Sequence, residues 1–335
     1  MNISNIRLTS IEIAGLWTGY VSDTMSNCVL KYFLKHVKDE DIKAVLQYAY
    51  SLTEEHIKKY KDIFQSEKMA IPTGFTDEDV NLNAPRLFSD EFFINYIKYM
   101  TGVGLTNYSL IYTEVAREDI KQLYGEMINE TIILDKKTDE VLLTKGIYHR
   151  PPYIPIPNEV DTVERQNFMT GFFGNKRPLT VIEITEIFVN AQTAAFSEAL
   201  VMAFSQVAMS KEVRNSFIRG KDIAHKHTKI LSDILIEEDL VSPTNWNTQI
   251  LETTESPFSD KLMMFHITNM FGSWMGYYGT GIAASQRRDL GAMYFRLMAE
   301  VSAFCEDGVN ILIKHGWLEQ PPTAPNRKTI AKGKK

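Results

Sequence analysis

The chain has 335 residues, 44% of them apolar and 23% charged, with a formal net charge of −6; this is an ordinary globular composition, and the charge is too mild to mark a nucleic-acid binder. The length exceeds what one ordinary core serves, so two domains are expected. The opening MNISNIRLTS has no basic segment followed by an apolar run, and charges interrupt each apolar stretch, so neither a secretory leader nor a membrane span is expected and the chain reads as soluble and cytoplasmic.

From Leu8 onward Ile11, Ile13, Leu16, Trp17, Tyr20, Val21, Met25 and Val29 follow a 3.6-residue stripe that continues to about His36, which predicts a long amphipathic helix. Thr9 and Glu12 have the spacing of a capping box, in which each side chain satisfies an orphan N–H of the first turn. A turn at Asp39 leads into a second helix over Glu40–Gln65, with Ile42, Val45, Leu46, Ala49, Leu52, Ile57 and Phe64 on one side. The polar stretch PTGFTDEDVNLNAPRLFSD then reads as a loop whose Ser89 and Asp90 cap a third helix from about Glu91 to Val115. A fourth is predicted over 117–144, closed by Gly146 and followed by Pro151.

The sequence then starts again. LTVIEITEIF at Leu179 answers LTSIEIAGLW at Leu8, 171 residues earlier, and Thr180 and Glu183 repeat the capping-box spacing. A one-residue deletion shifts the offset to 170 after the second helix: LFSD ending at Asp90 matches PFSD ending at Asp260, AREDI at Ala116 matches QRRDL at Gln286, and GIYHRPP at Gly146 matches GWLEQPP at Gly316. An ordered series at nearly constant spacing marks a tandem duplication.

The expected fold is therefore all-α, with two tandem ferritin-like four-helix bundles, one over 1–148 and one over 179–322, each burying its own interior. Short loops make neighbouring helices antiparallel, and the long connection between the second and third helices crosses the bundle as in ferritin-like folds. Residues 149–178, rich in Pro and aromatics, are expected to lie extended against the bundles, and the basic tail 323–335 to be disordered. Cys28 and Cys305 stand in different halves without metal-ligand spacing and read as buried free thiols.

Bundles commonly house metals, and the di-metal version needs Glu-x-x-His pairs. None occurs; the nearest approach is Asp222-x-x-His225. Counting depth from one end of the second bundle brings Gln192, His227, His266 and Glu300, on four different helices, to one level. Two imidazoles and a carboxylate would suit Fe, Mn or Zn, with Gln192, Glu198 or water completing the shell. The same layer of the first half holds Asp23 or Ser22, His56, Tyr96 and Glu130. The repeated pairs His56–Glu130 and His227–Glu300 also have a metal-free reading, a buried imidazole hydrogen-bonded to a carboxylate.

Gly272, Gly276, Gly279 and Gly281 crowd the third helix of the second half, and Gly102 matches Gly272. Close helix–helix approach explains them, and room for a bound molecule beside Trp274, Tyr277 and Tyr278 is the functional alternative. Arg117/Asp119 and Arg287/Asp289 open the fourth helix of each half and read as structural. Nucleophile-elbow, P-loop and dinucleotide-binding signatures are absent.

The phrases IPTGFTDEDVNLNAPRLFSD, RPPYIPIP, SPFSDKLMMFH and AASQRRDL, with the doubled layout, resemble the bacterial family catalogued as domain of unknown function 3231 over roughly Leu8 to Pro322. The resemblance implies a ferritin-like bundle, an origin in spore-forming Gram-positive bacteria and, for some relatives, a provisional label of spore coat protein; it implies no reaction. On these grounds the chain reads as a non-catalytic structural or binding protein, cytoplasmic or spore-associated. Its expected partners are spore coat proteins or further copies of itself, not nucleic acid or membrane. The alternative is a metal-dependent oxidoreductase or metal-binding protein with a mononuclear or di-metal site in the second bundle.

Overall fold

The computed structural model describes residues 6–172 and 176–333. Residues 1–5, 173–175 and 334–335, which belong to the expected amino terminus, linker and tail, lie outside the described residues. The helices are α1 (Ser10–His36), α2 (Glu40–Ser66), α3 (Asp90–Glu114), α4 (Glu118–Thr144), α5 (Val181–Val207), α6 (Lys211–Glu237), α7 (Asp260–Ala284), α8 (Arg288–Lys314) and a short α9 (Arg327–Ala331). There is no β-strand among the described residues, and α1–α4 and α5–α8 repeat one another as the duplication requires. In each half the first two helices form one pair and the last two another.

The predicted helix signals act as written. Glu12 accepts from Thr9 N–H at 2.7 Å and Glu183 from Thr180 N–H at 2.9 Å. The same two glutamates also accept from Arg117 N–H at 3.1 Å and Arg287 N–H at 3.0 Å. One carboxylate therefore caps the first helix and ties it to the start of the fourth. Burial would raise the Glu183 pKa, but Arg177 and the backbone donors of Thr180 and Arg287 outweigh it and hold the carboxyl down at about 2. Arg117 and Arg287 each fork onto the aspartate two residues on, the structural role expected of them. Gly146 and Gly316 close α4 and α8 at φ +69° and +67°, a left-handed conformation that glycine adopts without a Cβ clash.

The halves are not closed separately. Their long loops exchange backbone hydrogen bonds about a pseudo-twofold axis: Asn81 N–H donates to Pro257 O at 2.8 Å and Leu251 N–H to Leu87 O at 2.9 Å, while Ser259 N–H donates to Asp79 O and Ser89 N–H to Gln249 O, both at 3.0 Å. Each pair is the 170-residue image of the other. Around these bonds Phe92 stacks on Phe196 at 4.8 Å between ring centroids, and Tyr32 meets Phe258 edge-on at 5.2 Å. The segments after α4 and α8 also cross over: Glu319 accepts from Thr73 and Gly74 N–H at 2.8 and 3.1 Å, and its equivalent His149 meets Thr244 at 3.2 Å. The buried side chains accordingly form one cluster running through both halves. That differs from two self-contained interiors, because the loops that seal one half are completed by the other.

The linker is extended, with one turn at Gln166–Met169, but its middle does not lie on the bundles: Ile156 and Val160 are 90% and 98% exposed. It is held near its end, where Arg177 stacks on Phe168. The tail forms the single exposed helix α9 in place of a fully irregular segment. Cys28 is buried and Cys305 half-buried, both free thiols. Contrary to the sequence expectation, one helix, α5, is long and apolar enough to cross a membrane by length and composition alone; 83% of its apolar window is buried within the bundles. That burial is the physical reason for its composition.

Candidate functional site

In the second half, His227 is fully buried on α6, between α7 and α8. Its Nε2 lies 2.9 Å from Glu300, an acceptor, and its Nδ1 lies 2.8 Å from the Tyr278 hydroxyl. A neutral imidazole satisfies both partners, donating to Glu300 from Nε2 and accepting the phenolic proton at Nδ1. Burial pushes the His227 pKa down, and the hydrogen bond to Glu300 only partly opposes it. His266 is buried elsewhere: its Nε2 is 3.2 Å from the hydroxyl of Tyr96 in the other half. Tyr96 and His266 are equivalent residues, so they face one another across the pseudo-twofold axis. Burial alone drives the His266 pKa down to about 4. Gln192 is half-buried on α5, and Glu198 bonds His225 at 3.2 Å and Asn247 at 3.0 Å. Thus His227 and Glu300 come together while His266 is engaged by Tyr96. Among the described residues, no group of three or more His, Cys, Asp and Glu side chains is disposed to hold a metal ion.

The first half treats the equivalent imidazole differently. His56 Nε2 is 2.8 Å from Glu130, as in the other copy, but its Nδ1 is 3.3 Å from Asp23. Facing a carboxylate on each side, the ring carries both protons. Burial works against that charge, but Asp23 and Glu130 more than offset it and hold the pKa up at about 9. Asp23 and Glu130 lie on opposite ring nitrogens, so these three predicted residues do meet, as an ion-pair chain with the imidazole in the middle.

Beside this chain opens a cavity of about 640 Å³, walled by α1 and α3 and by the face of α7 that reaches across from the second half. Asp23, His56, Tyr108 and Tyr124 line its inner part. Thr18, Ser22, Asn107 and Leu110 stand exposed at its rim. The volume lies within the roughly 300–1,000 Å³ typical of small-molecule sites.

The duplication explains why the space exists here, because the second copy carries bulkier residues at the matching positions. Gly104 of α3 corresponds to Trp274 of α7, Thr101 to Phe271, Thr131 to Val301, Thr53 to Ala224 and Asp23 to Ala194. Trp274 is 1% exposed and stacks on Phe271 at 4.4 Å, and Phe271 packs on Phe304 at 4.6 Å. Three rings fill the second interior where the first has Gly, Thr and Leu134. Aligning the two halves position by position would have revealed these wall residues; reading each helix alone did not.

Of the crowded glycines, close packing requires only Gly281. A Cβ on Gly102, Gly272, Gly276 or Gly279 would meet nothing within 4 Å, and only Gly281 of this set abuts a neighbour, Tyr294. Close approach is found also on α1, where a Cβ would stand 2.7 Å from the Tyr124 hydroxyl at Gly15 and would meet the Tyr60 hydroxyl at Gly19.

No curated protein matches the chain. A solved structure from Bacillus halodurans C-125, described provisionally as a spore coat protein, is 20% identical, with the match covering 48% of this chain and 100% of that one at a TM-score of 0.39. The profile of the family described as protein of unknown function (DUF3231) matches twice, over residues 1–160 and 167–330, and the chain belongs to that family.

Proposed function

We propose that this is a non-catalytic binding protein on two ferritin-like bundles, in which the first half holds a small amphipathic molecule between α1, α3 and α7. The second half is its filled scaffold. The observation that carries this reading is the substitution pattern across the duplication: where the second copy buries Trp274 and Phe271, the first keeps Gly104 and Thr101 around a buried Asp23. Stability alone favours filling such a space, because unfilled volume forfeits packing contacts. His56, the lining group best suited to proton transfer, has carboxylates at both nitrogens, which supports binding over chemistry. A metal centre at His227, His266, Glu300 and Gln192 would require His266 to leave Tyr96.

The test is Gly104→Trp, which writes the second half's residue into the first. N-phenyl-1-naphthylamine, a neutral dye that brightens in apolar surroundings, should bind the wild-type chain at one site and lose that site in the variant, with helicity unchanged. Equal dye binding by both proteins, or none by wild type, would refute the cavity. The spore setting, with coat proteins as partners, enters only through the family resemblance. A fluorescent fusion followed through sporulation tests it.

A further inference from the structure

The cavity's inner chemistry narrows its ligand. Resting on the binding reading above, we infer that it takes an apolar molecule headed by a protonated amine, with Asp23 as the acceptor and anionic head groups rejected.

Asp23 is 7% exposed, and among the described residues its Oδ2 has no hydrogen-bond partner; His56 Nδ1 faces it at 3.3 Å as an ion pair outside hydrogen-bond geometry, which leaves room for a donor. Glu130 is better served, with His56 at 2.8 Å and Lys59 at 3.6 Å. Three lining threonine hydroxyls are spent locally: Thr53 donates to Tyr50 O, Thr131 to Met127 O and Thr101 to Lys98 O. Asp23 Oδ2 is therefore the charged acceptor of the cavity that no hydrogen bond serves, alongside the neutral Tyr124 hydroxyl and His266 Nδ1, and leaving a carboxylate oxygen without one in a dry site is costly. No Lys or Arg among the described residues lines the cavity. The cavity's cationic group, His56, already stands between Asp23 and Glu130, so a fatty-acid carboxylate would meet a cluster that is negative overall. An alkyl ammonium supplies three donors to the unsatisfied oxygen, and its chain lies along Leu52, Ile97 and Met100, which also line the space.

The experiment displaces N-phenyl-1-naphthylamine from the full chain with decylamine, decanol and decanoate, which share one apolar body. Decylamine should bind roughly ten- to hundredfold more tightly than decanol, the value of a charge-assisted hydrogen bond, and decanoate most weakly. Asp23→Asn should bring amine and alcohol to within a few-fold. Equal affinities in wild type, tighter binding of decanoate, or an amine preference that survives Asp23→Asn would each overturn the inference. If the dye binds wild type but the three heads are not distinguished, only the ligand class falls; if the dye does not bind, the cavity reading falls with it. The wild-type series decides the matter even if Asp23→Asn does not fold.

Discussion

His56 and His227 occupy the same place in two copies of one bundle and hold the same glutamate, yet one ring is a cation and the other neutral. What differs is the group at Nδ1: the Asp23 carboxylate in the first half and the Tyr278 hydroxyl in the second. Around the neutral ring the interior is filled by Trp274 and Phe271, and around the charged ring it is hollow. Once a fold is written twice in a chain, one copy can supply packing while the other spends packing on a polar cavity. The shared loops matter here, because α7 of the filled copy forms a wall of the hollow one.

The harshest way to break the comparison is to separate its members. Residues 1–160 and 167–330, expressed as two chains, should each fail to fold cooperatively as monomers, because Phe92, Phe196 and Phe258 would lose their partners and the paired loops their hydrogen bonds. Thermal melts and sedimentation check this, and a folded monomeric half would show that each interior is self-sufficient. Mixing the two chains should restore a heterodimer.

Next in size is the exchange of filling residues. Trp274→Ala should cost about 3–5 kcal/mol, the usual range for emptying a buried aromatic site. Gly104→Trp should cost far less, since a Cβ there meets Tyr108 and Thr131 only at 3.5 and 3.6 Å and the helix loses a glycine. Urea denaturation of both variants measures the difference; similar losses would mean that the two interiors are equally packed.

Helices, caps and the duplication were legible because each is written in local spacing: Thr9 and Glu12, Ser89 at the start of α3, Gly146 and Gly316. Depth counting also brought His227 to Glu300. It failed for His266 because depth says nothing about angle. Tyr278, which faces His227, is twelve residues further along α7, about 120° round at ~100° per residue, so His266 points to Tyr96 across the axis. The loop pairing left no signature, since Asn81, Pro257, Leu87 and Leu251 join through backbone atoms that every sequence carries. The cavity was written in differences between the copies, such as Gly104 against Trp274, and so was invisible along a single helix.

The two imidazoles should also divide the pH axis. His56 has a folded pKa of about 9, above the 6.5 of an ordinary histidine, so its stabilisation is fully present below 6.5 and is lost as pH rises through 9, by up to about 3 kcal/mol. Glu130, Lys59, Tyr108 and Tyr124 surround the pair, and His56→Gln should flatten this alkaline limb. His227 and His266 lie below 6.5, so their contribution is present above 6.5 and lost as pH falls, through about 4 for His266. His266→Tyr, which copies Tyr96, should soften the acid limb. Denaturation midpoints between pH 4 and 10 test both signs, and an alkaline limb unaffected by His56→Gln would reassign it to other groups.

The smallest expected effect is the most specific. Asp23→Ala gives the first half the residue that the second carries at Ala194. Glu130 still holds His56 Nε2 at 2.8 Å and the burial cost of the Asp23 carboxylate is removed with it, so the fold should lose only about 1–2 kcal/mol, well short of what stranding a buried charge costs. The imidazole, however, loses one of the two carboxylates that oppose its burial, and its pKa should fall from about 9 by roughly one to two units. Proton–nitrogen NMR of the ring reads this directly, with His227 in the same spectrum as an internal reference that should not move. If His56 stays where it was, Glu130 alone sets its charge, and the contrast at Nδ1 no longer explains why the two copies differ.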